Sequence, residues 1–140
     1  NLFVARFIGT PPMNFFPGQI AAGGARVEGQ GVSLDLGEAN RGIAGGQDGR
    51  DVMVGVRPEH LRAEPREGGG PTAQVQMTIE LVETLGHEVL LHGKLGGSML
   101  VAKADPRGSY DIDDVVDLHL ELDHVQLFAA DTERRLTEGE

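Results

Sequence analysis

The sequence predicts an all-β domain built on an OB-like barrel, and three features point there. Its 21 glycines fall mostly between short runs rich in Val, Ile and Leu, at 23–24, 29–31, 68–70 and 96–97, where tight turns call for positive φ. Two stretches alternate strictly: Val75, Met77, Ile79 and Leu81 against Gln74, Gln76, Thr78 and Glu80, and Val116, Leu118, Leu120 and Leu122 against Asp117, His119, Glu121 and Asp123. Beyond Pro12 no helical period stands out. Roughly nine or ten short strands suit a closed or partly closed barrel better than an open sheet with exposed edges.

Element by element, Leu2, Phe3 and Phe7 form one stripe of a short N-terminal helix over 2–8, with Asn1 as N-cap and Gly9, Pro11 and Pro12 as its stop. FFPGQIAA, ARVE and GVSLDL then read as a meander. Residues 37–50, GEANRGIAGGQDGR, read as a loop. In DVMVGVR (51–57), Val52, Val54 and Val56 share a face opposite Met53 and Gly55, and Pro58, lacking an N–H, ends the ladder. PREGGGP (65–71) reads as an internal linker. HEVLLHGKL and SMLVAKA flank Gly96 and Gly97 as a hairpin, HVQLFAA closes the series, and the polar tail frays. The preferred arrangement is two small half-barrels sharing a core and joined near 65–71; an immunoglobulin-like sandwich is the alternative.

Composition narrows the function. There are no cysteines, which removes disulfides and thiolate metal sites and fits a reducing, cytosolic setting. The first residue is Asn1, and NLFVARFIG lacks both the basic region and the apolar length of a signal peptide. No stretch is apolar enough to span a membrane as a helix. With 12 Lys and Arg against 22 Asp and Glu, the net charge of −10 repels nucleic acid, and five Phe, one Tyr and no Trp offer few stacking platforms.

Catalytic machinery is not visible. His87 and His92 are five apart, which in a strand sends them to opposite faces, and His60, His119 and His124 form no cluster that spacing alone reveals. No metal site is therefore expected. IAGGQ (43–47) superficially resembles the LSGGQ signature of ABC ATPases, but the serine is missing. No GxxxxGK[ST] loop exists, and Lys94 and Lys103 follow no phosphate-cradling glycines. Ser33, Ser98 and Ser109 lack a nucleophile elbow. Asp111, Asp113 and Asp114 lack the glycine and terminal glutamate of a calcium loop. GVRPEH (55–60) differs in kind: an arginine ends an apolar strand, proline stops it, and Glu59 and His60 project at a turn. Arg57 could there bind a carboxylate on a neighbouring surface, or simply pair with Glu59.

These motifs, taken in order, carry a family resemblance. FVARFIGTPPMNFF (3–16) is similar to the junction at the end of the ATPase domain in ATP-binding subunits of carbohydrate ABC importers. VGVRPEHL (54–61) resembles their regulatory-domain signature, and ELVETLGHEVLLHG (80–93) and HVQLFAADT (124–132) match in order. Within that family the PPMN junction and LGHEVLLHG look more like importers of sn-glycerol-3-phosphate and related sugars than like the maltose ATPase. The resemblance implies that residues 1–12 end an upstream ATPase domain and that 13–140 form an OB-type regulatory, TOBE-like domain. ATP and magnesium would belong to that upstream domain, with no cofactor here. It implies a second copy of the subunit as partner, permease subunits reached through the ATPase domain, a regulatory protein, and a place at the cytoplasmic face of the membrane. Gly55, Arg57, Pro58, Glu59 and His60 are the expected contact residues, with Gly55 and Pro58 shaping the turn. A module that senses a small anion or metabolite is the competing expectation.

Overall fold

The computed structural model describes residues 10–29 and 31–137, so the helix expected over 2–8 lies outside the described residues. Ten strands occur among the described residues. The first four are β1 (Asn14–Ala21), β2 (Arg26–Gly29), β3 (Val32–Asp35) and β4 (Asp51–Val56), with one helix, α1 (Gly37–Ala44), between β3 and β4. Then come β5 (Leu61–Arg62), β6 (Thr72–Leu85), β7 (Glu88–Leu95), β8 (Ser98–Ala104), β9 (Val115–Glu121) and β10 (Gln126–Ala129).

These strands form two bodies over one core. The first is a five-stranded sheet in the order β10-β4-β1-β2-β3, and the second is a closed barrel in the order β5-β8-β7-β6-β9. One hydrophobic cluster runs through both, joining Phe16, Ile20 and Val54 of the sheet to Met77, Leu100 and Leu118 of the barrel. The all-β, barrel-based expectation is borne out, with the first strand group an open sheet rather than a half-barrel. The alternation in β4 also holds, since Val52, Val54 and Val56 are all buried. Leu95 faces Ser98 across the two-residue turn expected at Gly96 and Gly97.

Three readings need correction, the first being the tail expected to fray: Leu136 is buried in the core and its amide donates to the Leu127 carbonyl at 2.7 Å. Residues 37–44 are helical rather than looped. Leu36, Asn40 and Ala44, four apart, are the residues it buries, and the Asn40 side chain donates to the Leu122 carbonyl at 3.2 Å. A polar anchor on the inner face and two glycines, Gly37 and Gly42, hide this short amphipathic turn from a hydrophobic count. Leu81, read as an inward residue, is 50% exposed. The cause is a register shift against β7 between Ile79 and Leu81, which leaves Glu80 unpaired and turns the rest of the strand over. Up to Met77, β6 pairs with β9 alone; Thr78 pairs with both β9 and β7, and beyond the bulge β6 pairs with β7 alone. Gly93 faces the bulge at Ile79, where a Cβ would come within 2.2 Å of the Thr78 carbonyl oxygen, so the corner closes only over glycine.

The barrel has one short seam. β5 meets β8 in parallel at Arg62 and Lys103, supported by the Ala63 amide donating to the Lys103 carbonyl at 2.9 Å. Two residues back along β8, the amide and carbonyl of Val101 point to the same side, because strand polar groups alternate. Asn14, buried at the start of β1, satisfies both: its amide donates to the Val101 carbonyl and its carbonyl accepts from the Val101 amide, each at 2.8 Å. The asparagine of the PPMN junction thus continues the ladder past the seam and ties sheet to barrel. Asn14→Ala strands a buried donor and acceptor, and Asn14→Asp loses the donated bond and buries a charge. Urea unfolding should show each variant less stable by about 2–4 kcal/mol, whereas Gln19→Ala on the exposed side of β1 should change little.

Candidate functional site

The chain crosses between the two bodies at two places. After β4 it makes a 3-10 turn, Pro58–His60, into β5; after β9 it makes another, Leu122–His124, into β10. The two turns have related sequences, PEHL and LDHV, each an acid followed by a histidine. They lie side by side, with the rings of His60 and His124 stacked at 3.6 Å between centroids and 2° between planes.

Glu121, the last residue of β9, sits beneath the two turns. Alternation placed it outward, yet it is only 9% exposed, because the chain ahead of β6 folds over it and the Pro71 carbonyl accepts from the Leu122 amide at 3.1 Å. One carboxylate oxygen, Oε1, lies 2.7 Å from His60 Nδ1, and the other, Oε2, accepts from Arg66 Nε at 2.8 Å. Arg66 also donates to the Glu59 carbonyl at 2.9 Å, which closes a loop of contacts from the linker to the first turn. Burial pushes the Glu121 carboxyl up, but the hydrogen bond from His60 and the charge of Arg66 outweigh it and hold the group below its ordinary value of 4.5.

The expected contact residues divide into an inner and an outer set. Pro58 is buried at the first position of its turn, and His60 is half-buried against Glu121. Arg57 and Glu59 are exposed, and among the described residues their side chains make no ion pair or hydrogen bond. The local Arg57 to Glu59 pair is therefore absent. Gly55 does something other than shape the turn. It faces Phe15 and Gln126 across the sheet, and a Cβ there would meet Met13 Sδ at 2.8 Å and Phe128 Cε2 at 2.9 Å. Its missing side chain makes room for the edge-to-face pair of Phe15 and Phe128, whose centroids are 5.5 Å apart.

Spacing alone missed Glu121, Arg66 and His124. The readable signal was the repetition of an acid-histidine pair at the end of two strands. Elsewhere the histidines stay apart: His87 is exposed in the β6–β7 turn, and His92 pairs with Glu83 at 3.0 Å. The three aspartates at 111–114 form a closed turn, with the Asp114 amide donating to the Asp111 carbonyl at 3.2 Å.

Two family models match this architecture. The MalK OB fold domain covers residues 9–61, and the TOBE domain covers residues 54–128, so the two overlap on the first crossing turn. The chain belongs to the TOBE domain family. The TOBE match takes in all five barrel strands, both turns and part of β10. Among curated relatives, the sn-glycerol-3-phosphate import ATP-binding protein UgpC of Salmonella paratyphi A is 36% identical over 135 residues, 96% of this chain and 36% of that protein. The sulfoquinovosyl glycerol transport ATP-binding protein SmoE of Agrobacterium fabrum is 33% identical over 136 residues, 97% of this chain and 37% of that protein. The ABC transporter ATP-binding protein YurJ of Bacillus subtilis is 34% identical over 137 residues, 95% of this chain and 37% of that protein. This TOBE-family chain thus spans little more than a third of the relatives it matches, as the resemblance to carbohydrate importer ATP-binding subunits leads one to expect. No helix among the described residues is long and apolar enough to cross a membrane.

The lowered carboxyl of Glu121 fixes the sign of its pH dependence. An ionised Glu121 favours the folded state, and that contribution is complete above 4.5 and lost as the pH falls through the lower folded value. Glu121→Gln should therefore cost roughly 2 kcal/mol at neutral pH. In chemical denaturation across a pH series, its deficit against the parent chain should close below pH 4.5.

Proposed function

We propose that this domain is the non-catalytic regulatory and dimerisation part of an ATP-binding subunit of a carbohydrate or glycerol-phosphate importer. Its partner is a second copy of the same subunit, and ATP hydrolysis stays in an ATPase domain that also reaches the permeases at the cytoplasmic face of the membrane. The single observation that carries the contact role is the division of the first crossing turn. Pro58 and His60 are fixed against the body, while Arg57 and Glu59 stand exposed with no partner among the described residues. Charged groups held on a rigid turn lose little entropy on pairing, and an arginine binds a carboxylate with two parallel bonds.

Anchoring two subunits through such domains raises the effective concentration of their ATPase halves, so nucleotide has only to close them. A regulatory protein bound to the same turn would act through a difference in affinity for the open and closed states. The anion-sensing alternative has less support. A pocket of about 670 Å³ lies between β1, β2 and the β7–β8 turn, but its charged side chains are Glu28 and Asp51, which repel an anion.

Arg57→Ala, placed in a subunit that carries this domain together with its ATPase domain, is expected to weaken dimerisation by about tenfold to a hundredfold. Transport-coupled ATP hydrolysis should fall with it, while the melting temperature of the 140-residue chain stays put. Unchanged dimerisation and unchanged coupled hydrolysis together would refute the contact assignment.

A further inference from the structure

We propose that His60, Glu121 and His124 form a binding site for a transition-metal dication of the zinc class, at the point where the two crossing turns meet. The donor atoms of these three side chains all lie within 4.8 Å of one another. They line a pocket of about 380 Å³, together with Arg66, Asp123 and the glycines of the linker. Two imidazoles and one carboxylate are the donor set that favours zinc over magnesium or calcium, which prefer six or more oxygens.

The charge balance of the pocket favours a cation. Two carboxylates, Glu121 and Asp123, stand there against the one guanidinium of Arg66. The stacked rings of His60 and His124, 3.6 Å apart, bring two imidazoles to the same carboxylate. Arg66 holds Oε2 of Glu121 and leaves Oε1 to the metal.

Binding requires a small, defined rearrangement. A tetrahedral zinc with bonds of about 2.0–2.2 Å sets its donors roughly 3.3 Å apart. The ion takes the place of the proton shared by His60 Nδ1 and Glu121 Oε1, and His60 keeps its proton on Nε2 instead. Parallel rings cannot both aim their in-plane lone pairs at one ion, so the exposed His124 turns out of the stack toward it. Water fills the fourth position from the pocket. The cost is small, because the exposed His124 side chain changes rotamer while His60 Nδ1 and Glu121 Oε1, 2.7 Å apart, need only a sub-ångström shift. Arg66 meanwhile acts on the carboxylate as the outer hydrogen-bond partners of metal sites do.

This site is independent of the dimerisation reading, since it is measured on the chain alone. The test is equilibrium dialysis of the tag-free, chelator-stripped 140-residue chain against Zn²⁺ in the micromolar range, with excess Mg²⁺ present. One zinc per chain is expected, accompanied by a rise in melting temperature that grows with free zinc. His124→Ala should weaken uptake at least about tenfold while leaving the melting temperature of the metal-free chain unchanged. Ring-proton resonances of His60 and His124 should shift on zinc addition, and those of His87, His92 and His119 should not. Absence of stoichiometric uptake, unchanged uptake by His124→Ala, or shifts confined to the other three histidines would each overturn the proposal. Should His60→Ala or Glu121→Gln fail to fold, the His124 variant and the resonances still decide it.

Discussion

Glu121 is the group on which both crossings between sheet and barrel depend. A chain that leaves a sheet for a barrel and later returns must bend sharply twice, and each bend exposes backbone that neither body pairs. Here the two bends touch, and one buried carboxylate braces both: His60 of the outgoing turn lies on one of its oxygens, while the returning turn begins at the very next residue. Arg66 then draws the linker onto the second oxygen. A carboxylate buried with two charged or polar partners costs far less than a bare one, and removal of either partner leaves the other to carry it.

The same economy of connection appears at the barrel seam. The barrel closes through a β5 of two residues, too short to hold β8 along its length. Asn14 supplies from the sheet the pair of hydrogen bonds that a longer strand would have made. The two bodies therefore cannot separate without breaking the barrel seam and the crossing brace together. Their common core, from Phe16 to Leu118, makes the same demand on apolar contacts.

Much of this was legible in the residues. Strict alternation identified β4 and β9 because each has one face against the core, and Val52, Val54, Val56, Leu118 and Leu120 are buried as the period requires. The period failed where geometry changed along a strand. Leu81 reads as inward only if β6 keeps its register, and a bulge is set by the corner at Gly93, which no local pattern announces. Helix α1 was hidden because its inner face carries Asn40 where a count expects an aliphatic side chain. Glu121 was misplaced for a third reason: its outward direction is correct for the strand, but the linker returns to cover that face. Burial by a distant segment is a tertiary fact. The paired PEHL and LDHV segments were the one trace of it in the sequence, and they become informative only once the two turns are known to be neighbours.

The first crossing turn gains its character from being anchored on one side and bare on the other. Three covalently consecutive residues, Pro58, Glu59 and His60, share one 3-10 turn, so a shift of His60 cannot leave its neighbour in place. The carbonyl of Glu59 is itself held by Arg66, which is held by Glu121. Whatever acts on the carboxylate is therefore felt at Glu59 and, through the Arg57 carbonyl that accepts the His60 amide at 2.9 Å, at Arg57. A metal ion drawing His60 Nδ1 and Glu121 Oε1 apart would thus act on the two exposed charges from beneath. The inner residues set where the two exposed charges point. Charges held this way can be re-aimed without any change to Arg57 or Glu59 themselves.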